Sequence, residues 1–225
     1  MDQEGLRFAD ISECEGSCNP TLYQYELEYS DSNFPVVQEP LSDWQELSYD
    51  TFENSVWGSF ESGGVHAFLS SASDTQGTDT CNGNCACEGT WAAELHEDRG
   101  VKSSIFHTSS YPCDLFAYLR VTFQYKFRSY DHLDTLFLEI SLDGGSTYFI
   151  VGDFAHSVIE PGIVDPLTNA ICYQGLVLLY PSQFRLSSFG NNVKLRFRNS
   201  GNAANDRVYV DSIRFEGHYG ESNTV

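Results

Sequence analysis

The chain has 225 residues, with 32 Asp plus Glu against 12 Lys plus Arg, and a formal net charge of -20. Such a charge repels nucleic acid and anionic membrane surfaces, which excludes both as general partners. Hydrophobic residues form 41% of the chain and aromatic residues 14%, enough for a folded core over most of its length. Because most carboxylates cannot pair with Lys or Arg, the excess is expected to be solvated or neutralised by divalent cations.

Residues 1–43 form a distinct acidic segment. Within it, apolar and polar residues alternate in LYQYELEY, residues 22–29, which predicts one amphipathic strand or, equally well, part of a flexible tail. The Pro-containing stretch 34–40 is typical of an extended linker. Met1 is followed directly by Asp2, Gln3 and Glu4, which does not predict a signal peptide, and no apolar run has the length of a transmembrane helix. Three interpretations stay open: a secreted or surface-exposed protein whose signal was removed, a piece of a longer chain, or a protein that is not secreted. The cysteine content favours the first two.

The pattern of residues 44–217 predicts a succession of β-strands, followed by a C-terminal tail at 218–225. In residues 119–127 the odd-numbered side chains are apolar and the even-numbered ones polar. No stretch predicts a convincing helix, so the pattern indicates an all-β, two-sheet antiparallel sandwich. The ten predicted strands cover roughly residues 47–53, 65–71, 90–97, 103–108, 117–128, 134–142, 147–154, 172–180, 193–199 and 207–216.

The most regular connection is SLDGGSTYF, residues 141–149. Its Asp143-Gly144-Gly145 sequence predicts a tight hairpin, because glycine tolerates positive φ. The string also matches the Asp-box pattern, with Tyr148 as its aromatic residue. We interpret it as structural rather than catalytic.

Seven cysteines favour an oxidising compartment, and the odd number leaves at least one without an intramolecular partner. Three of them lie in the loop CNGNCAC, residues 81–87. Zinc binding by this loop is disfavoured, because a second close pair of ligands is missing. We expect disulfides, for example Cys14–Cys18 as a local loop and Cys113–Cys172 between two loops, with the connectivity left open. The disulfide candidates are Cys14, Cys18, Cys81, Cys85, Cys87, Cys113 and Cys172.

A carboxylate interrupts the apolar face of the last strand. In Val208–Gly217, period-two alternation places Tyr209, Asp211, Ile213 and Phe215 on one face. An unpaired carboxylate in a core costs several kcal/mol. It requires Ca²⁺, an Arg partner or backbone N–H groups of a crossing loop, unless the strand is exposed there.

Several stretches together resemble the jelly-roll modules of secreted proteins, relatives of the MAM and carbohydrate-binding jelly-roll sandwiches. The resemblance covers about residues 47–217, although the usual MAM cysteines are missing. It implies a jelly-roll fold and a structural Ca²⁺ held by Glu53 and Asp211. Loop oxygens near residues 74–79 are candidates to complete the shell, although no motif match supports them. The stretches are YDTFENSVWGSFESGG, AAELHEDRGVKSSIF, LRVTFQYKF, LEISLDGGSTYF, VKLRFRNSGN and DRVYVDSIRFEG.

Six of the twelve basic residues lie on the outward faces of two predicted strands. If these strands share a sheet, the acidic protein has one cationic face suited to uronic or sulfated glycan or an acidic protein segment. The alternatives are pairing with outward acids such as Glu94 or Glu139, or coverage by the acidic N-terminal segment of the same or a neighbouring molecule. The six are Arg120, Lys126, Arg128, Lys194, Arg196 and Arg198.

Trp57 and Tyr130 lie in predicted loops, which favours exposure and stacking on sugar rings. Trp91 begins a predicted strand and fits the core better. No catalytic motif occurs, and the six His are scattered. A glycosidase carboxylate pair could include Glu94, Glu97 or Glu139, although with 32 acids this signal is close to chance.

These observations predict an extracellular binding or adhesion module with a structural Ca²⁺ and no enzymatic activity. The resemblance implies an extracellular glycan as the leading ligand, and an acidic matrix component is the other expected partner. One alternative is a matrix or assembly protein with no glycan ligand that associates through the basic face and the acidic N-terminal segment. The other is a jelly-roll carbohydrate-active enzyme.

Overall fold

The computed structural model describes residues 44–71, 86–96, 100–128, 130, 134–155, 172–201, 203 and 206–220. They belong to one compact unit, Pro40–Val225. The strand expected at residues 22–29 lies outside the described residues. The strands are β1 (Trp44–Asp50), β2 (Phe60–Ser62), β3 (Ala67–Ser71), β4 (Trp91–His96), β5 (Ser104–His107), β6 (Tyr118–Arg128), β7 (Thr135–Ser141), β8 (Phe149–Ala155), β9 (Tyr173–Leu179), β10 (Lys194–Asn199) and β11 (Arg207–His218).

The strands form two antiparallel sheets. Sheet A has the order β3-β4-β11-β6-β9, and β1 pairs with the second half of β11. Sheet B has the order β2-β5-β10-β7-β8. The prediction of a two-sheet antiparallel jelly-roll sandwich is therefore confirmed. In the described part of the chain the helices are short 3-10 turns, and none has the length and apolar character to cross a membrane.

Each predicted strand overlaps an observed one. The structure adds β2, whose three residues are too few for alternation to reveal. In β6, the odd-numbered residues from Leu119 to Phe127 are buried between the sheets, as the alternation predicted. They pack against Leu136, Leu138 and Ile140 of β7 and Leu195 and Phe197 of β10, so apolar side chains of both sheets form one core.

The β7–β8 connection is the structural hairpin that its sequence predicted. The Asp143 carboxylate accepts hydrogen bonds from Thr147 N at 2.8 Å, Thr147 Oγ1 at 2.7 Å and Ser141 Oγ at 2.8 Å. These bonds lower the pKa of Asp143 to about 2. Gly144 and Gly145 both have positive φ, which explains the Gly-Gly pair.

The alternation expected in β11 is wrong at its centre. The pairing with β6 shifts register between Asp211 and Arg214, and Ser212 has a φ of 48°. This bulge reverses the faces of the strand. Val208, Val210, Ile213 and Phe215 enter the main core, whereas Tyr209 packs in a separate cluster with Ala86 and Ala92. Asp211 therefore lies on the opposite face from Ile213 and Phe215.

Candidate functional site

The outer face of sheet A carries a groove of about 310 Å³. Cross-strand register explains its composition: Thr122 of β6 pairs with Arg214 of β11, and Arg214 pairs with Tyr49 of β1. On the other side of β6, Gln124 pairs with Gln174 of β9. Residues distant in sequence thus form neighbouring rows. The groove is lined by Tyr49, Glu88, Thr122, Phe123, Gln124, Gln174, Gly175, Leu176, Ser212 and Arg214.

The aromatic element of the groove is Tyr49, which is 40% exposed. The Arg214 guanidinium lies 4.4 Å from the centre of its ring, a cation–π distance. Arg214 also pairs with Glu46 at 3.0 Å, and both side chains are nearly half exposed. The ring is therefore held in place by a neighbour that leaves part of it accessible.

Amides and hydroxyls provide the polar lining. Within the described residues, the side chains of Thr122, Gln124 and Gln174 make no hydrogen bonds, and Gln174 is exposed. Ser212 Oγ donates to Glu88 Oε2 at 2.9 Å, which places that carboxylate at the groove. The groove thus offers hydrogen-bond donors and acceptors, from amides, hydroxyls and a carboxylate, beside an aromatic ring.

An aromatic row crosses the same face nearer the start of β6, four residues before Thr122. Trp44, His218 and Tyr118 are register partners on β1, β11 and β6, with ring centroids 5.2 Å and 5.8 Å apart. Tyr118 meets Tyr180 edge to face at 5.2 Å. Tyr118 and Tyr180 are exposed, so aromatic surface continues beyond the groove.

Asp211 anchors the segment that forms one wall of the groove. Its Oδ2 accepts hydrogen bonds from Cys87 N at 2.9 Å and Glu88 N at 2.8 Å, and its Oδ1 accepts one from Ser212 N at 2.7 Å. Burial and, to a smaller extent, the nearby Glu53 raise the pKa of Asp211 to about 6, although these backbone donors lower it. Of the explanations that the sequence left open, a crossing loop is the one observed.

Glu53 holds the same segment from the other side. Its Oε1 accepts hydrogen bonds from Thr90 N at 2.8 Å and Trp91 N at 3.0 Å. Lys126 is buried, donates to Ala86 O at 2.8 Å and places positive charge near Asp211. Residues 86–91 are therefore held by two carboxylates and one ammonium group.

Calcium at Glu53 and Asp211 stays a prediction. Both residues supply the oxygen ligands that Ca²⁺ prefers, but the ion needs six to eight oxygens. Residues 74–79, expected to complete the shell, lie outside the described residues. Among the described residues, no three His, Cys, Asp or Glu side chains are grouped as a metal site.

A disulfide joins Cys87, in the segment at the groove, to Cys172, which immediately precedes β9. The suggested Cys113–Cys172 bridge is wrong, because Cys113 is a free, buried thiol in the core. Burial raises the pKa of Cys113 to about 12, so it is protonated at neutral pH. The remaining candidates Cys14, Cys18, Cys81 and Cys85 lie outside the described residues.

The prediction of a single cationic face is also wrong, because β6 belongs to sheet A and β10 to sheet B. Arg120 pairs with Glu216 at 2.7 Å. Arg196 and Arg198 both pair with Glu139, at 2.5 Å and 3.2 Å, which confirms the alternative of pairing with an outward acid. Lys194 donates to Thr108 O at 2.9 Å. Lys126 bonds to a carbonyl and Arg128 lies beside Tyr209.

The two proposed stacking residues are not on an open surface. Tyr130 is 2% exposed, stacks on Phe127 at 4.4 Å and donates its hydroxyl to Asn199 Oδ1, so its expected exposure is wrong. Trp57 is half-buried and meets Phe52 edge to face at 6.2 Å. Trp91 packs against the core, as expected.

Glu94 belongs to an ionic network. It is buried and lies 2.6 Å from His96 Nε2 and 2.9 Å from Arg207. Burial raises its pKa, but hydrogen bonds from His96 and Ser70 and the charges of His96 and Arg207 outweigh this and lower it. Glu97 lies outside the described residues. This network gives Glu94 a structural role.

Sequence reasoning did not single out Tyr49, Gln124, Gln174 or Arg214. One signal was available, because alternation in β6 places Thr122 and Gln124 outward. Their partners depend on strand register and on the β11 bulge.

No family model matches the chain, and no curated protein matches it. Solved structures with similar folds include the CBM22-1 xylan-binding domain of Paenibacillus barcinonensis Xyn10C, at 9% identity and TM-score 0.48, covering 81% of this chain and 100% of that one. TmCBM61 in complex with β-1,4-galactotriose has 14% identity and TM-score 0.43, covering 74% and 93%. The K3 cleaved adhesin domain of Porphyromonas gingivalis Lys-gingipain has 11% identity and TM-score 0.44, covering 77% and 98%. At these identities and scores, the likeness assigns neither a family nor a ligand to this chain.

Proposed function

We propose that the chain is a non-catalytic extracellular module that binds a glycan in the groove on the outer face of sheet A. The observation that carries this proposal is the Tyr49 ring, held by Arg214 at 4.4 Å, in the same groove as Gln124 and Gln174. Sugar recognition combines dispersion contacts of C–H groups on an aromatic face with hydrogen bonds to hydroxyls. Both elements are accessible here.

A neutral glycan fits the groove better than an acidic one. The chain carries a net charge of -20, and Glu88 is part of the lining. Arg214 already has Glu46 as an anionic partner. A neutral sugar can use Glu88 as an acceptor and the amides as donors without opposing the overall field. An extracellular setting is supported by the Cys87–Cys172 disulfide, since such bonds persist in oxidising compartments.

The test is equilibrium binding of the full chain to a panel of neutral polysaccharides that includes xylan and β-1,4-galactan, with polygalacturonate as the acidic comparison. We expect retention on a neutral polymer and at least a tenfold loss of affinity in Tyr49→Ala and in Gln124→Ala/Gln174→Ala. Tyr148→Ala is the matched control, because Arg196 lies 3.8 Å from the Tyr148 ring centre on the opposite face of the sandwich. Binding that is lost equally in Tyr148→Ala would contradict this location, and failure to bind any polysaccharide would contradict the function.

We also propose, as a separate component, a structural Ca²⁺ at Glu53 and Asp211. What supports it is two carboxylates close enough for Glu53 to raise the pKa of Asp211. An ion that binds only the folded state at 100 times its Kd stabilises by about 2.7 kcal/mol. We expect Ca²⁺ to raise the melting temperature of the wild type above its value in EDTA, and not that of Glu53→Gln/Asp211→Asn. Identical melting of the wild type in Ca²⁺ and EDTA would remove the ion from the proposal.

A further inference from the structure

A second cavity, of about 530 Å³, lies away from the groove, between the β7–β8 hairpin and the turn after β9. Its apolar wall is formed by Leu142, Phe149, Phe184 and Leu186. Phe149 and Phe184 have ring centroids 5.9 Å apart, and Phe149 is 49% exposed. Its volume lies within the range of small-molecule sites. An apolar wall of this kind, open to solvent, can receive a ring.

The cavity also contains a cation, Arg185, that pairs with no carboxylate of the described residues. Arg185 lines it and is exposed, and within the described residues its guanidinium has no ion-pair partner. By contrast, Arg120, Arg196, Arg198 and Arg214 each pair with a carboxylate. In a chain with 32 acids and 12 basic residues, a guanidinium left without a carboxylate beside an apolar wall has charge to offer a ligand.

The backbone presents Arg185 at a conformational cost. Its φ of 59° and ψ of 34° lie in the left-handed region, which is unfavourable for a residue with a Cβ. The turn fixes this conformation through Arg185 N to Ser182 O and Leu186 N to Pro181 O, each at 3.1 Å. Glycine would adopt it with less strain, so the turn alone does not explain an arginine.

Of the remaining polar residues that line the cavity, Gln183 favours a carboxylate ligand, whereas the ionised Asp143 opposes it. Asp143 lines the cavity, but its oxygens already accept hydrogen bonds from Thr147 and Ser141. Gln183 accepts a hydrogen bond from Tyr180 N with its Oε1, at 2.9 Å, so its NH₂ group is the part that can serve a ligand. Arg185 and Gln183 thus both offer N–H donors next to the phenylalanine rings.

We infer that this cavity is a second binding site, for a small aromatic carboxylate. Its carboxylate pairs with Arg185 and its ring packs between Phe149 and Leu186. The site is independent of the proposed glycan groove and stands if that proposal fails.

The experiment titrates the full chain with phenylacetate by isothermal calorimetry, with phenylacetamide as the neutral analogue and glucuronate as a carboxylate without an aromatic ring. We expect phenylacetate to bind at least tenfold more tightly than either. Arg185→Gln and Phe149→Ala should each weaken binding at least tenfold, whereas Arg185→Lys should retain part of it. Lys102→Gln is the control, because it removes one positive charge away from the cavity and should change the affinity less than twofold.

Arg185→Gly keeps the test independent of folding defects. It should melt no lower than the wild type, because glycine tolerates this backbone, and yet lose phenylacetate binding. Equal affinity for phenylacetamide, tighter binding of glucuronate, unchanged affinity in Arg185→Gln, or no heat with phenylacetate at saturating concentrations would each overturn the assignment.

Discussion

The two outer faces of the sandwich carry the same combination of arginine, aromatic ring and glutamate in different environments. On sheet B, Arg196 and Arg198 lie over the rings of Tyr148 and Phe137, and both pair with Glu139. On sheet A, Arg214 lies over Tyr49 and pairs with Glu46. Glu139 is buried, whereas Glu46 is nearly half exposed. Arginine above an aromatic ring therefore does not by itself mark a binding surface.

The difference lies in what surrounds each pair. A buried carboxylate shared by two guanidinium groups is a closed network, in which each charge depends on the others. On sheet A the exposed pair borders amides without partners in the described part of the chain, and a cavity lies beside it. We therefore interpret the Glu139 network on sheet B as structural, and this contrast supports the proposed binding site on the sheet A face.

The largest expected effect is on sheet B. Glu139→Gln should lower the free energy of unfolding by about 3–5 kcal/mol, because it leaves two partly buried guanidinium groups without their anion. Urea denaturation measures this loss. Glycan affinity of the folded variant should be unchanged. A loss below about 1 kcal/mol would mean that the sheet B network resembles an ordinary surface pair.

The next effect comes from the wall of the groove. Cys87→Ser/Cys172→Ser should cost about 2–4 kcal/mol, as expected for a bridge across a long loop. It should also weaken glycan binding, since Cys87 precedes Glu88 and Cys172 lies two residues before Gln174. The double variant is used so that no freed thiol can pair with another cysteine. Intact glycan affinity in a destabilised double variant would show that the bridge serves only stability.

The pH dependence of stability tests the environment of the Asp211 carboxylate on sheet A. Burial raises its pKa from 3.8 to about 6, so the folded state binds the proton more tightly than the unfolded state. Stability in EDTA should therefore fall as pH rises from about 4 to 6, by at most about 3 kcal/mol from this group. Asp211→Asn should remove that slope in urea denaturation.

The pKa shift of His107 has the opposite effect on the pH dependence of stability, so the experiment needs a control for it. Burial lowers its pKa from 6.5 to about 3, so its contribution to stability is present above pH 6.5 and is lost as pH falls toward 3. The difference between wild type and Asp211→Asn cancels this term. If the stability difference between wild type and Asp211→Asn is flat between pH 4 and 6, the pKa of Asp211 is not raised on folding. The backbone donors and Lys126 would then stabilise its charge enough to offset burial.

The sequence was sufficient for properties that depend on one strand at a time. Alternation identified β6 and its buried face, and the Asp143-Gly144-Gly145 turn identified the β7–β8 hairpin. It failed where two strands must be placed relative to each other. The outward basic residues of β6 and β10 have the same pattern, yet the strands belong to different sheets.

The candidate site was missed for the same reason. Tyr49, Thr122 and Arg214 come together through the register of β1, β11 and β6. The bulge at Ser212 also moves Asp211 to the face opposite Ile213. A period-two pattern cannot predict such a bulge, because it assumes that no extra residue is inserted in the strand. The carboxylate was rightly identified as needing a partner, but its position relative to the core was not.

The smallest expected effect separates the two faces most sharply. Glu46→Gln should change the free energy of unfolding by less than about 1 kcal/mol, because both partners of its pair are exposed and solvent screens them. Arg214 should stay over Tyr49, since the ring contact does not need the carboxylate. Urea denaturation beside Glu139→Gln, and the glycan affinity of Glu46→Gln, measure both points. If the two variants lose equal stability, burial of the carboxylate is not what distinguishes the faces, and the assignment of binding to sheet A would rest on its amides alone.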